Sequence, residues 1–270
     1  MDFPFRACPV CRNFDTNKFI KIGKLNPTFN FKKNALPVFE LVECNNCKTI
    51  YQTPLPGDAI LYELYVDNDQ FTSDAYTGER TKAVREFYKE CAIKVMNKME
   101  KSSGVKILEV GAGFSWMCGA VKEVDAKSHT IAQDITSECK DRCTWVDDYI
   151  IGTCEENFGE LKRKGPYDII SLTHVIEHLN YPVDFLIQMA PLLSDTGIFF
   201  ITAPYQPPNW ATDKNDIEVW KKWSYNHVPA HLQYLTTESI NAISKITNLE
   251  ILSYENFHDG GSAFELMLSK

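Results

Sequence analysis

The chain has 270 residues, of which 44% are hydrophobic and 24% charged; this composition is globular and excludes a disordered or collagen-like chain. The formal net charge of −8 disfavours a protein that binds nucleic acid or an anionic membrane over its whole surface. No apolar run approaches the roughly 20 residues that span a bilayer, and the N-terminus does not have the pattern of a signal peptide. These features predict a cytoplasmic protein without membrane insertion.

Two C-x-x-C pairs lie in the first stretch, residues 1–55: Cys8 with Cys11, and Cys44 with Cys47. Thiolates two residues apart on a tight turn bind one ion side by side, and two such turns complete a closed tetrahedral zinc site. A redox role for one pair would need a thioredoxin-like βαβ context, which is not found around either pair. The spacing therefore predicts an N-terminal zinc ribbon holding one structural Zn²⁺.

The next stretch, residues 56–101, is predicted to be a helical linker or cap. It contains a short amphipathic run at 59–64 and a longer one at 80–99. In the longer run the apolar residues recur near a period of 3.6, which is typical of a helix with one buried face.

From residue 105 onward, short apolar runs alternate with helical patterns. Continuous apolar runs of this length indicate strands that are buried on both faces, and their alternation with helices is the βαβ pattern of an α/β, doubly wound sheet. The strand-like runs are 105–110, 130–132, 149–151, 168–173, 197–202, 249–257 and 263–269, and the helical patterns include 155–164 and 182–193.

A glycine-containing loop follows the first of these strands, with Glu109, Gly111 and Gly113 in the pattern acid-x-G-x-G. A dinucleotide-binding fingerprint would have a third glycine, but Trp116 stands in that position and is too bulky for the usual contact. The loop resembles motif I of class I S-adenosylmethionine (SAM) methyltransferases. The resemblance covers residues 105–203 well.

The resemblance implies a set of residues that bind SAM as cosubstrate. Glu109, Gly111 and Gly113 would form the loop beside SAM, and Asp134, at the end of the second strand, would accept the ribose hydroxyls. Thr153 lies where the family contacts adenine. Thr173 and His174 follow the fourth strand and would line the same pocket.

The resemblance also implies the architecture of residues 102–270. We expect a Rossmann-like seven-stranded sheet with the last strand antiparallel, and a lid insertion at 205–235 that covers the SAM site. Aromatic residues of this insertion suit either stacking on a substrate or packing of the lid itself: Trp210, Trp220, Trp223 and Tyr225.

The sequence His174-x-x-Glu177-His178 admits several interpretations. It equals the inverted zinc-protease motif, but that motif requires a mid-helix setting, and here it follows a strand. Ubiquinone-pathway O-methyltransferases are similar at this place, with E-x-x-E-H, which holds a divalent metal in some members. We favour His174 as a pocket-lining residue over a metal site at His174, Glu177 and His178. His178 packs the helix or serves as a third candidate catalytic residue.

Two further histidines, His227 and His231, follow the fifth strand, at the sheet edge where open α/β sheets bind ligands. A histidine suits the removal of a hydroxyl proton near neutral pH. His231 is the first candidate for a general base and His227 the second. The alternative is that either histidine only makes a structural hydrogen bond in its loop.

The combination of a zinc ribbon with a methyltransferase resembles enzymes of bacterial sugar and capsule biosynthesis. It implies a small-molecule substrate, namely a capsule or cell-surface polysaccharide precursor such as a sugar, a nucleotide-linked group or a phosphoramidate. Longer sugar C-methyltransferases carry a further C-terminal domain, and this chain ends near the last expected strand. We therefore expect O-methylation; the oligomeric state is not predicted.

A second hypothesis makes the ribbon a binding module, and the chain an RNA methyltransferase or a non-catalytic adaptor. The first 55 residues are locally basic, although the whole chain is acidic. The basic residues are Arg6, Arg12, Lys18, Lys21, Lys24, Lys32, Lys33 and Lys48. We find no N-P-P-[YF] motif of base methylation after the fourth strand, so nucleic acid is the less favoured partner.

Overall fold

The computed structural model describes residues 5–22, 38–66, 79–101, 103–207, 217–257 and 263–270. Its strands are β1 (Thr16–Ile22), β2 (Phe39–Cys44), β3 (Ile50–Thr53), β4 (Lys106–Val110), β5 (His129–Asp134), β6 (Asp148–Ile151), β7 (Tyr167–Thr173), β8 (Leu193–Pro204), β9 (Gln233–Tyr234), β10 (Glu250–Phe257) and β11 (Ala263–Ser269). Its α-helices are α1 (Asp58–Tyr65), α2 (Glu79–Asn97), α3 (Trp116–Val124), α4 (Phe158–Lys164), α5 (Pro182–Met189), α6 (Ile217–Lys222) and α7 (Thr237–Thr247). Within the described residues, no helix is long and apolar enough to cross a membrane.

Seven strands form the main sheet, in the order β10-β11-β8-β7-β4-β5-β6. The five strands from β4 to β8 are parallel, whereas β11 runs antiparallel to both of its neighbours. This arrangement confirms the predicted Rossmann-like, doubly wound α/β sheet whose last strand in the chain is antiparallel. The strand order reverses between β4 and β7, which opens a crevice at the carboxyl ends of these two strands.

Helices cover both faces of this sheet, because its central strands are apolar on both sides. On one face, Val95 of α2 and Val121 of α3 pack in a buried cluster with Ile107 of β4. On the other face, Leu186 of α5 and Ile243 of α7 belong to a second buried cluster. The sheet is therefore a rigid platform that fixes the loops at its carboxyl edge.

A second, four-stranded sheet has the order β1-β2-β3-β9. Its first three strands come from the predicted ribbon, and β9 comes from the end of the predicted lid at 205–235. Tyr51 of β3 pairs with Gln233 of β9. The ribbon and the lid are thus joined by backbone hydrogen bonds, while the proposed division at residues 55 and 101 stays a prediction.

Two aromatic residues of the lid have different surroundings: Tyr225 stacks on His174, with 6.1 Å between ring centroids, whereas Trp220 packs against the ribbon. Trp220 is fully buried in a cluster with Phe39, Ile50 and Tyr234, so its side chain has no face left for a substrate. Packing is therefore the correct alternative for this residue. Trp210, which precedes Trp220 in the lid, lies outside the described residues.

Candidate functional site

The glycine loop begins directly after β4 and needs glycine at two positions. Gly111 has φ +57°, and a Cβ added there would lie 2.8 Å from Cγ2 of Val175. Gly113 has φ +48°, but a Cβ at this position would meet no atom within 4 Å. Glycine tolerates such φ values without strain. Gly111 therefore packs against the segment after β7, whereas Gly113 faces open space in which a ligand can approach the backbone.

The side chain of Glu109 fixes this loop to the start of α3. Its buried carboxylate accepts hydrogen bonds from the Ser115 hydroxyl at 2.9 Å and from the backbone N–H groups of Met117 at 3.2 Å and Cys118 at 2.8 Å. Burial raises the pKa of Glu109, and these hydrogen bonds oppose that shift. The carboxylate thus occupies the N-terminus of α3, where a negative charge is favourable. Contact of Glu109 with SAM stays a prediction; the geometry gives it a positioning role.

Asp134, at the end of β5, lies beside the same loop. Its Oδ2 accepts a hydrogen bond from Gly113 N–H at 2.8 Å, and its Oδ1 accepts one from Thr136 N–H at 3.0 Å. The structure therefore brings together Gly113 and Asp134, two residues that the sequence predicts for SAM. Their contact with SAM stays a prediction.

The other predicted SAM residues lie at neighbouring strand ends. Thr153 follows β6, and its N–H and hydroxyl both donate to Glu156, at 2.9 and 3.1 Å. Thr173 ends β7, with its hydroxyl 3.1 Å from the Ser171 hydroxyl. His174 follows with φ +55°, a conformation that non-glycine residues rarely adopt and that is concentrated at functional sites.

Four histidines surround one buried carboxylate, that of Glu177. His174 Nδ1 lies 3.4 Å and His178 Nε2 lies 4.0 Å from Glu177 Oε1. The ring of His231 lies 4.9 Å from that of His178 and 4.8 Å from that of His227, between centroids. The structure thus gathers the three candidate catalytic histidines, His178, His227 and His231, with His174 in one cluster.

Two chain segments form this cluster and are bound to each other through the backbone. Leu232 N–H donates to Glu177 O at 2.8 Å, and the Gln233 side chain donates to Ile176 O at 2.7 Å. On its other side, Leu232 O accepts from Gln52 N–H of β3 at 2.9 Å. The ribbon sheet consequently fixes the segment that carries His231 against the segment that carries Glu177.

Hydrogen bonds fix the orientation of two of the imidazoles. His178 Nδ1 lies 2.9 Å from Ala230 O, and His231 Nδ1 lies 2.8 Å from Tyr225 O. A carbonyl only accepts, so each Nδ1 carries the proton and each Nε2 keeps a lone pair. Burial lowers the pKa of His178, and burial together with the neighbouring histidines lowers that of His231 well below 6.5. Both rings are therefore neutral at pH 7.

The two cysteine turns have the same local geometry. In the first, Arg12 N–H donates to Cys8 O at 3.0 Å, with φ +61° at Arg12. In the second, Lys48 N–H donates to Cys44 O at 3.0 Å, with φ +59° at Lys48. This repeated turn points both thiols of each pair toward a common centre.

The four thiols form one compact group of possible metal ligands. The Sγ atoms lie within 4.8 Å of one another, with 3.5 Å between Cys8 and Cys47 and 3.5 Å between Cys11 and Cys44. Tetrahedral coordination with Zn–S bonds of about 2.3 Å separates sulfur atoms by about 3.8 Å, so the group fits one such ion. Hydrogen bonds from the Cys8 thiol and from the backbone of Thr49 lower the pKa of Cys47 to about 5 against the effect of burial.

Comparison with known proteins decides the family. A family profile described as a methyltransferase domain matches residues 76–254, which is more than half of the chain. The chain belongs to this family. Together with the sheet order, this membership makes the enzyme a SAM-dependent methyltransferase of class I. A search of the curated proteins found no matching sequence.

Solved structures share the fold of the methyltransferase at low sequence identity. The plantazolicin methyltransferase BpumL, solved with a desmethyl-plantazolicin analogue and SAH, has a TM-score of 0.57 and 16% identity over 78% of this chain and 93% of its own. A complex of the Haloferax volcanii Trm112 activator with a putative methyltransferase has a TM-score of 0.52 and 11% identity, over 70% of this chain and 92% of its own. The carbon methyltransferase CurJ has a TM-score of 0.53 and 16% identity, over 77% of this chain and 60% of its own.

Two residues of the methyltransferase's histidine cluster were not predicted as site residues. The sequence predicts Glu177 only within a less favoured metal motif and does not indicate that it is buried beside His174 and His178. Tyr65 of α1 was not considered; its hydroxyl lies 2.7 Å from His178 Nδ1 and donates to Ala230 O at 3.2 Å. The motif itself is a sequence signal for Glu177. No sequence pattern points to Tyr65, because 113 residues separate it from His178.

Proposed function

We propose that this methyltransferase transfers the methyl group of SAM to a hydroxyl oxygen of a small acceptor. The observation that carries this proposal is a contact between the glycine loop and the histidine segment after β7. Gly111, in the loop, packs against Val175, which lies between His174 and His178. A donor bound at the loop and an acceptor bound at the histidines would therefore meet at one sheet edge. Holding two reactants in such proximity supplies much of the catalytic effect.

In the proposed complex, SAM lies over Gly113, with its ribose hydroxyls on Asp134. Thr153 lies on the adenine side, and Thr173 with His174 on the methionine side. The open space at Gly113 and the position of Asp134 beside it support this arrangement. Glu109 holds the loop in place by its three hydrogen bonds.

The proposed reaction is an in-line displacement. A lone pair of the acceptor oxygen forms the new O–CH₃ bond while the S–CH₃ bond of the sulfonium breaks, and S-adenosylhomocysteine leaves. The hydroxyl proton passes to a neutral imidazole. We assign this role to His227, because it is half-buried, whereas His231 is only 4% exposed.

As acceptor we propose a precursor of a capsule or other cell-surface polysaccharide: a sugar, a nucleotide-linked group or a phosphoramidate. The combination of an N-terminal cysteine ribbon with a class I methyltransferase domain supports this class. The lowered pKa values of His178, His227 and His231 keep these rings neutral, which suits an uncharged hydroxyl better than a large anionic acceptor such as RNA.

We propose that the four-cysteine group holds a structural Zn²⁺. Four thiolates leave no coordination position for water or substrate, so the ion stabilises the fold and takes no part in the chemistry. The matched turns at Cys8 and Cys44 and the sulfur spacing support this assignment.

The test is a methyl-transfer assay with radiolabelled SAM against a panel of nucleotide sugars, free sugars and phosphoramidate precursors. Transfer to one of them, with the label on oxygen by mass spectrometry, is the expected result. Absence of SAM binding in calorimetry would overturn the whole proposal. Labelling of RNA instead, with a salt-dependent mobility shift, would favour the RNA methyltransferase hypothesis. Of the basic residues on which that hypothesis rests, Lys24, Lys32 and Lys33 lie outside the described residues, and the side chains of Lys18 and Lys21 are not described.

A further inference from the structure

Ser115, where the glycine loop meets α3, has a backbone conformation that serine rarely adopts. Its φ is +53°, and the residue is fully buried. A non-glycine residue with a positive φ persists only where the surrounding contacts hold it, because the conformation itself is strained. The loop therefore needs bonds at Ser115 to keep the shape that leaves Gly113 open to a ligand.

The hydroxyl, the N–H and the carbonyl of Ser115 are all hydrogen-bonded. The hydroxyl donates to Glu109 at 2.9 Å and the N–H donates to Ala112 O at 2.6 Å, so both bonds stay within β4 and its loop. The carbonyl accepts the Gly119 N–H of α3 at 3.0 Å and the Nε1–H of Trp145 at 2.8 Å. The bond from Trp145 thus ties the loop to the segment between β5 and β6, 30 residues away in sequence.

The indole of Trp145 packs closely on α3 and also borders a cavity. A Cβ added at Gly119 would lie 3.0 Å from Trp145 Nε1, so glycine at this helical position makes room for the ring. Trp116 stacks on the same ring, with 5.7 Å between centroids and 24° between planes. A cavity of about 170 Å³ borders both rings. Packing therefore leaves the indole room to shift, and the bond to Ser115 O fixes its position.

The same segment also reaches the carbonyl of Gly113. The sulfur of Cys143 lies 3.6 Å and the hydroxyl of Tyr149 lies 3.5 Å from this oxygen. The N–H of the same glycine donates to Asp134, at the end of β5. Residues 134–149 consequently contact the loop at both Gly113 and Ser115, and Trp145 makes the shortest of the contacts with a loop carbonyl.

We propose that Trp145 is a positioning residue for SAM: its Nε1–H holds Ser115 in the strained conformation and so keeps the glycine loop in the shape that binds the cosubstrate. The inference rests on the proposed function, in which SAM lies over Gly113. Without this bond, Ser115 would relax to an ordinary backbone conformation in part of the molecules. SAM would bind only the remaining fraction, and its apparent Kd would rise by the inverse of that fraction.

The experiment measures SAM affinity by isothermal titration calorimetry, and Tm, in the full-length chain. Trp145→Phe keeps an aromatic ring beside Gly119 but removes the Nε1–H. We expect the Kd for SAM to rise by about 3- to 10-fold, the usual range for one lost hydrogen bond between neutral groups, with little change in Tm. Trp220→Phe, in the ribbon cluster, should show the reverse, a lower Tm with normal SAM affinity.

A second variant reaches the same bond from the helix. Gly119→Ala favours the helix, but its methyl group would push the indole away from Ser115 O, so SAM binding should weaken without a matching loss of Tm. Gly159→Ala, in α4, is the matched control, because its added Cβ would meet no atom within 4 Å. In the Trp145→Phe background the bond is already gone, so Gly119→Ala should have a smaller effect there than in the unaltered chain.

Unchanged SAM affinity in Trp145→Phe would overturn the inference, as would equal effects of Gly119→Ala in the two backgrounds. If Trp145→Phe does not fold, hydrogen exchange in the unaltered chain decides. The indole proton of Trp145 should exchange more slowly with solvent when SAH is bound, because the bond and the ligand stabilise each other reciprocally. Equal exchange with and without SAH would contradict this. Failure of the unaltered chain to bind SAM would instead overturn the proposed function, so the two failures are distinguishable.

Discussion

The hydroxyl of Thr49 donates a hydrogen bond to the hydroxyl of Ser239 at 2.9 Å, across 190 residues of sequence. Thr49 lies beside the metal turn, 3.0 Å from the Cys47 sulfur, and Ser239 also donates to Cys47 O at 3.3 Å. Ser239 is at the same time the N3 residue of the capping box of α7, in which Thr236 is the N-cap. The metal turn is therefore bonded directly to the start of a helix that covers the main sheet.

Ser239→Ala should lower the free energy of unfolding by about 1–3 kcal/mol, because it removes the reciprocal capping bond and leaves Thr49 without this buried acceptor. It should also speed the release of zinc to a chelator. Denaturant unfolding and a colorimetric zinc assay measure the two effects. Ser244→Ala, in the same helix, removes a hydrogen bond to Leu249 O but none to the ribbon, so it should leave zinc release unchanged.

Removal of zinc should destabilise the whole chain and not the ribbon alone. Val42 and Cys44 of the ribbon belong to the same buried cluster as Leu172 of the main sheet, so loss of the ion reaches that sheet. We expect Cys44→Ser to contain no zinc in the ribbon and to unfold in one transition at lower temperature, because structural zinc contributes folding free energy directly. Scanning calorimetry with elemental analysis tests this, with Cys139→Ser as the control that should keep the ion. Two separate transitions would contradict it.

The fold could be predicted largely from the sequence, because the central strands of the main sheet are local apolar runs. The runs at 105–110 and 168–173 coincide with β4 and β7 within a residue, since strands buried on both faces leave a continuous signal. Cysteine spacing likewise predicts the group at Cys8 and Cys44, because the turn geometry is local.

The assembly of the site could not be predicted, because it depends on contacts between distant segments. Nothing local in the sequence indicates that Gln52, Leu232 and Glu177 share consecutive backbone hydrogen bonds. His231 is therefore recognisable as a candidate, but its burial against Glu177 is not. The role of Trp220 was ambiguous for the same reason, since its packing partners lie in the ribbon.

Asp134→Ala should weaken SAM binding by about 1–3 kcal/mol, the usual loss when a hydrogen bond to a charged group is removed. The carboxylate also holds Gly113 N–H, so part of the loss would come from a less ordered loop. Isothermal titration calorimetry measures the change. Asp141→Asn, an exposed acid in the following segment, should bind SAM normally. Unchanged affinity in Asp134→Ala would move the ribose ligand to another residue.

Gly111→Ala should reduce both stability and SAM binding. The new methyl group would meet Val175 at 2.8 Å, and a φ of +57° disfavours alanine by about 1–2 kcal/mol. Adding Val175→Ala removes the clash but not the φ strain, so the double variant should recover part of the thermal stability. Gly113→Ala meets no protein atom and should therefore affect SAM affinity more than stability. A double variant no more stable than Gly111→Ala would show that the contact is unimportant.

His227→Ala should lower kcat by at least about 100-fold while SAM affinity stays unchanged, because a positioned base typically contributes 10²–10⁴-fold. His227 is half-buried, so added imidazole should restore part of the activity. His231→Ala should lose less activity, because in this assignment His231 contacts the ring of His227 without taking the proton. The alternative assignment, His231 as the base, requires the reverse: His231→Ala rescued by imidazole, and His227→Ala the milder variant. Turnover assays with both variants, with and without imidazole, separate the two assignments.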